Sequence, residues 1–129
     1  MIVTLPFPNA KLNPNNSKGV HWAATAILRK RAHADAWVLA KDAAFKALWK
    51  PTADTIALDI TFVQPDRRRR DRDNLLAALK CSLDGVAAAL GIDDSQFEPV
   101  TIRRAYGTKP GEVRIHVAEE KMSTMNELA

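Results

Sequence analysis

Cysteine is almost absent from this chain. A single residue, Cys81, excludes an intrachain disulfide and suits a reducing compartment. Long apolar runs are missing too. None approaches the ~20 residues that a membrane-spanning helix needs. The first residues, MIVTLPFPNA, lack both the charged start and the long apolar stretch of a secretory signal. There is no internal repeat. These absences point to a soluble protein of the cell interior.

What is present is charge. The chain has 129 residues, enough for one domain, expected over 1–118, with a small core. Nineteen Lys and Arg against fifteen Asp and Glu leave a net charge of +4 and a pI of about 9.5. That mild basic excess fits a polyanionic partner.

The charge is concentrated in QPDRRRRDRDNLLAALKCSLDGVAAALGIDDSQ, from Gln64 to Gln96. Four arginines, Arg67 to Arg70, run directly into Asp71 and Asp73. A second acidic pair, Asp93 and Asp94, follows a helical stretch. Carboxylates two residues apart in an extended stretch can turn to one side and share a divalent cation. Arginines beside them can grip a phosphate with two hydrogen bonds at once. Acids for a metal and bases for a phosphate in one loop point to metal-assisted chemistry on a phosphodiester. The competing reading is a solvated loop whose alternating charges neutralise one another.

The flanking pattern says how the loop is held. Ile2 to Phe7, stopped by Pro6 and Pro8, reads as an edge strand. Residues 9–20 read as a loop made basic by Lys11 and Lys18, with His21 just after it. Ala26 to Trp49 lacks Pro and Gly and reads as a long helix ended by Pro51. Its Ala34, Trp37, Val38, Phe45 and Leu48 fall on one side, interrupted by Lys41. Its Arg29, Lys30 and Arg31 read as solvated, and Trp22, Trp37 and Trp49 as core or interface residues.

Thr55 to Val63 alternates with period two and reads as a strand with Ile56, Leu58, Ile60 and Phe62 on its buried face. It delivers the chain to the arginines. Asp73 can cap the helix that follows. In that helix Leu76, Leu79, Leu83, Val86 and Leu90 form one apolar stripe, for the core or a dimer seam, and Gly91 stops it. Glu98 to Ala105 and Glu112 to Val117 read as two strands joined by a hairpin at Gly107 to Gly111, with Arg103, Arg104 and Lys109 adding positive charge. Residues 119–129 read as a frayed tail. The order is β-α-β-α-β-β, an α/β fold of one small mixed sheet and two helices.

PDRRRRDRDNL followed by GIDDSQ resembles the signature of the RusA family of Holliday junction resolvases of bacteria and their prophages. The likeness runs from Leu5 to about Val117. It is close over residues 65–76 and 93–96 and loose elsewhere. The resemblance implies a Mg²⁺-dependent endonuclease, with Mn²⁺ as a substitute ion, that resolves four-way DNA junctions as an intertwined homodimer in the cytoplasm. It implies metal-binding, catalytic acids at Asp71, Asp73 and Asp94, with Asp93 as the alternative or a supporting partner. It implies DNA contacts from Arg67, Arg68, Arg69, Arg70 and Asn74. The basic residues Lys18, Arg103, Arg104 and Lys109 are further candidates for DNA contact.

One departure stands out. The family places a catalytic lysine four residues after the second aspartate, where this chain has Ala77. Lys80 is the nearest substitute. It lies seven residues past Asp73 and returns to within ~20° of the same helix face, one turn further on. Cys81, where the family has an acid, takes no catalytic role. The rival to cleavage is a protein that binds branched DNA without cutting it. A phosphorelay receiver, which also clusters aspartates with a lysine, is disfavoured by the missing run of βα units.

The ends of the second helix impose a constraint. From Asp73 to Leu90 it spans ~25 Å, and the four residues to Asp94 cover at most ~14 Å. Either the helix bends near Asp84-Gly85, or Asp94 serves the site of a partner subunit.

Overall fold

A computed structural model describes residues 1–14 and 22–118. Four strands and two helices follow in the order β1 (Ile2–Pro6), α1 (Trp22–Ala47), β2 (Ile56–Gln64), α2 (Arg72–Leu90), β3 (Phe97–Tyr106) and β4 (Glu112–Val117). The expectation of a small mixed sheet with two helices holds. Lys18, His21 and the tail 119–129 lie outside the described residues.

The sheet order is β1-β4-β2-β3. β4 runs antiparallel to both β1 and β2, while β3 runs parallel to β2. β2 has the period-two pattern that the sequence carries. Ile56, Leu58, Ile60 and Phe62 are buried on one face, with Ala57, Asp59, Thr61 and Val63 half-exposed on the other. Each fully buried side chain of this size contributes roughly 1.5–3 kcal/mol. They join Val3, Leu5, Leu79, Val86, Val113, Ile115 and Val117 in a single core.

Three expectations are corrected. First, the 107–111 segment is not a hairpin turn, because β3 and β4 lie on opposite sides of β2. The segment crosses the end of β2, where Gly107 N–H donates to Gln64 O at 2.8 Å. A Cβ on Gly107 would stand 2.6 Å from Val63 Cγ1, so any side chain there would have to displace Val63. A turn signal in the sequence marks a reversal but cannot say which strand lies beside which.

Second, the helix cap is Asp71, not Asp73. Asp71 has extended backbone angles, and its carboxylate accepts from Asp73 N–H at 2.9 Å. Third, the apolar side of α1 chosen from the sequence is not its core side. Ala36 and Ala40 are buried, whereas Val38, Phe45 and Leu48 are 59, 80 and 86 % exposed. Alanine's small side chain lets α1 sit close to its neighbours, so the core face is built from small residues rather than large ones.

α2 is continuous over 19 residues and ends at Gly91, whose φ of 71° is the left-handed cap that glycine adopts without strain. Its stripe is core. Leu75, Leu79, Leu83, Val86 and Leu90 are buried, and Leu76 only packs against them from the edge. Gly85 does not bend the helix. It is the crossing point with α1, where a side chain would overlap the His33 carbonyl. Among the described residues no helix is long and apolar enough to cross a membrane.

Candidate functional site

The loop from Pro65 to Arg70 leaves the end of β2 and feeds the start of α2. Buried Gln64 begins it, with Nε2 donating to Arg68 O at 3.5 Å. Asp66 then shapes it. Its carboxylate accepts from Arg68 N–H at 2.9 Å and takes the Arg70 guanidinium at 2.8 and 3.3 Å. The Arg70 contact, followed by the Arg68 one, lowers the Asp66 pKa to about 2. Arg70 also lies over the Phe7 ring, 5.3 Å from its centre. Arg104 crosses from β3 to donate to Arg70 O at 2.7 Å.

The four arginines therefore divide. Arg70 is half-buried and holds the loop, and Arg67 lies over the Tyr106 ring at 5.7 Å. Arg68 and Arg69 are exposed and, among the described residues, make no ion pair. They line a cavity of about 400 Å³ with Phe7, Asn13, Asp71 and Asn74. The cavity lies at the start of α2, whose positive dipole end favours anions. Two guanidiniums that make no ion pair among the described residues, an asparagine and a helix start suit a phosphate.

Asp71 and Asp73 stand beside this cavity, both exposed. Oxygen donors of this kind fit Mg²⁺. One Asp71 oxygen, Oδ1, accepts the cap hydrogen bond. Asp93 and Asp94 are elsewhere. Asp93 caps a short turn over Asp94–Gln96, accepting from Ser95 N–H, while the Gln96 side chain accepts from Asp93 N–H. Asp94 turns back along α2 instead of pointing away from its end. Its carboxylate meets Lys80 Nζ at 2.5 Å, and the same ammonium meets Asp84 at 3.0 Å. Lys80 lowers the Asp94 pKa, and Asp94 followed by Asp84 raises that of Lys80.

Asp94 thus lies level with Lys80 and Asp84, two to three turns from Asp73. Asp84 is 11 residues beyond Asp73, ~16 Å of helix rise. The gap is shorter than the sequence implies but is not closed. Among the described residues no three Asp, Glu, His or Cys side chains come together to hold a metal. The two acidic pairs are two places in one chain.

Of the remaining candidates, Arg103 is bound by both its Nε and a terminal nitrogen to Asp59, at 3.0 and 3.1 Å, and Lys109 is exposed on the crossing between β3 and β4. The Cys81 thiol is half-buried and its pKa is pushed up by that burial, which suits an inert residue. Sequence reasoning missed Asp66 and Asp84, although Asp66–Arg70 and Lys80–Asp84 both have the four-residue spacing that pairs charges locally. Phe7 and Tyr106, under Arg70 and Arg67, had no signal, because the pairings join distant segments.

The fold and this loop define an α/β protein with an arginine-lined cavity at a helix start. No protein-family model matches the chain. A protein of Xylella fastidiosa (strain Temecula1 / ATCC 700964), described as an uncharacterized protein, is 41% identical to it over 95 residues. That match takes in 74% of this chain and 61% of the relative, so the chain spans under two thirds of that protein.

Proposed function

We propose that this protein is a Mg²⁺-dependent endonuclease of the RusA kind that cuts four-way DNA junctions as a homodimer. The observation that carries the reading is the juxtaposition at the start of α2. Arg68 and Arg69, which make no ion pair among the described residues, share one cavity with Asp71 and Asn74, and Asp73 follows in the first turn. Hydrolysis of a phosphodiester needs a water made nucleophilic at neutral pH and charge to offset the phosphorane. A carboxylate-held Mg²⁺ supplies both when bound. The arginines and the helix start hold the phosphate, and Asp71 and Asp73 offer the carboxylate oxygens.

One chain supplies only part of the site. Asp71 and Asp73 of one protomer are completed by Asp94 of the other, with Asp93 fixing the turn that presents it. Lys80 is tied to Asp94. It enters the site together with Asp94 of its own chain, and so serves its partner rather than the Asp73 that precedes it. Two such sites related by a two-fold axis match the two symmetric cuts a four-way junction requires.

The test is incubation of the purified protein with a synthetic four-way junction, with and without Mg²⁺. Paired nicks that need the ion support the reading. Binding without nicks under any divalent ion would leave a branched-DNA-binding protein. That second reading has one observation in its favour: the position of the family's lysine is Ala77, and Lys80 is engaged by Asp84 and Asp94.

A further inference from the structure

Cations also stand unmatched away from the start of α2. Arg29, Lys30 and His33 of α1 fall within an arc of ~100° and face Cys81 and Asp84 of α2 across a groove of about 310 Å³. The two helices run in the same direction here. Gly85 meets His33, and Lys41 Nζ donates to Ala89 O at 3.4 Å. The groove therefore lies beside the middle of α2.

Its charge is one-sided. Asp84 is the acid among its lining residues, and Lys80 already holds that carboxylate at 3.0 Å. Among the described residues Arg29, Lys30 and His33 make no ion pair. Arg29 is half-buried, while Lys30 and His33 are exposed. The basic run on α1 is thus split. Arg29 and Lys30 line the groove, and Arg31 turns away to line a cavity against the end of β1.

Position says what the groove serves. Asn74 lines the cavity of Arg68 and Arg69, and Cys81 lines the groove. Seven residues at 100° bring Cys81 to within ~20° of Asn74 on α2, with a rise of ~10 Å. The two places share one side of the helix. Ala77, which flanks the line between them, is exposed and ends in a single methyl group, so it leaves the track clear. One strand of a duplex rises ~3.4 Å per nucleotide, so ~10 Å is about three nucleotides.

We propose that Arg29 and Lys30 form a second phosphate-binding station, which holds the strand gripped at Arg68 and Arg69 about three nucleotides further along its backbone. The proposal rests on the nuclease reading above and adds the path of the substrate strand over α2. A guanidinium and an ammonium side by side suit the oxygens of one or two phosphates. Such contacts read no sequence. They set the register of the strand, and so decide which phosphodiester lies at Asp71 and Asp73.

The test is binding of a fluorescent four-way junction, followed by anisotropy over ~0.05–0.3 M salt without Mg²⁺. Arg29→Gln with Lys30→Gln removes the station. Arg31→Gln with Lys46→Gln removes the same charge elsewhere on α1, where Arg31 lines another cavity and Lys46 pairs with Asp42 at 3.0 Å. Arg29→Lys with Lys30→Arg keeps the charge. A circular dichroism melt checks that each variant folds. Each phosphate contact is worth ~0.9 in the slope of log K against log salt, so the station variant should flatten it by about 1.8. The control and the charge-keeping variant should leave it as it is. An unchanged slope in the station variant overturns the station, and so does an equal loss in the control or in the charge-keeping variant. Arg68→Ala with Arg69→Ala is measured alongside. A slope that flattens there but not in the station variant overturns the station and leaves the reading above standing. A wild type that does not bind the junction at the lowest salt overturns both.

Discussion

Mixing two dead proteins tests the shared site. Asp73→Asn and Asp94→Asn each remove one carboxylate charge and almost no volume, so both should fold and bind junctions while cutting neither strand. Metal ligands lie within ~2.6 Å of the ion. Asp94 lies two to three helical turns from Asp73, and the Lys80–Asp84–Asp94 contacts hold it there. No movement of a side chain closes a gap of ~10–16 Å. If the sites are shared, a mixed dimer has one site with both lesions and one with none. Equal amounts under full exchange give half mixed dimers, each with one live site, so nicking should return to about a quarter of the wild-type rate. The assay follows nicked four-way junction on a denaturing gel, with exchange verified by native mass spectrometry. Sites built within one chain leave every mixed dimer dead. No recovered nicking, with exchange confirmed, would refute the reasoning.

Other consequences follow from single contacts. Replacing Arg68 and Arg69 by Ala should weaken binding to every DNA and flatten the slope of log K against log salt by about 2, since each lost phosphate contact is worth ~0.9; an unchanged slope would return these arginines to solvent. Lys80→Ala should raise the pKa of Asp94 toward the ordinary carboxylate value, as read by NMR titration. The Asp94 share of that pair is present above the ordinary carboxylate pKa and is lost as pH falls through the lowered one. The Lys80 share is lost only as pH rises through its raised pKa. The same variant should slow cleavage with little effect on binding, with Ala77→Lys restoring part of it. Gly85→Ala should destabilise the fold by roughly 1–3 kcal/mol through overlap with the His33 carbonyl, a melting point lower by roughly 4–12 °C.

Local signals in this sequence were legible and long-range ones were not. β2 and β4 could be read almost to the residue, because period-two burial repeats within each strand. Gly91 could be read as a helix end for the same local reason. The neighbour of β4 could not be read, since pairing across β2 leaves no mark in the 107–111 turn. The core side of α1 was hidden by size. Ala36 and Ala40 bury less apolar area than Trp37 or Phe45 and so weigh less in any periodic pattern, yet they are the ones inside. In the candidate site, the motif marked the loop but not the division of labour among its arginines. The sequence RRRR makes four residues look alike, and only Asp66 below and Arg104 from β3 assign Arg70 to structure.

The strand order also sets a timetable for synthesis. β1 leaves the ribosome first, but its partner is β4, and Met1 is tied to Val117 across 116 residues. β4 also fills the place between β1 and β2. Until about residue 117 has been made, β1 has no neighbour and β2 has an open edge. The growing chain can assemble α1, β2, α2 and β3 as a unit, with α1 and α2 already crossed at Gly85. It must then hold β1 in waiting. Contacts that join distant residues slow the search for the native sheet. Exposed strand edges invite pairing with other chains in the meantime. Pro6 and Pro8, which close β1 on one side, lack the N–H that such stray pairing would use, so the strand that waits longest is also poorly suited to pairing with strangers.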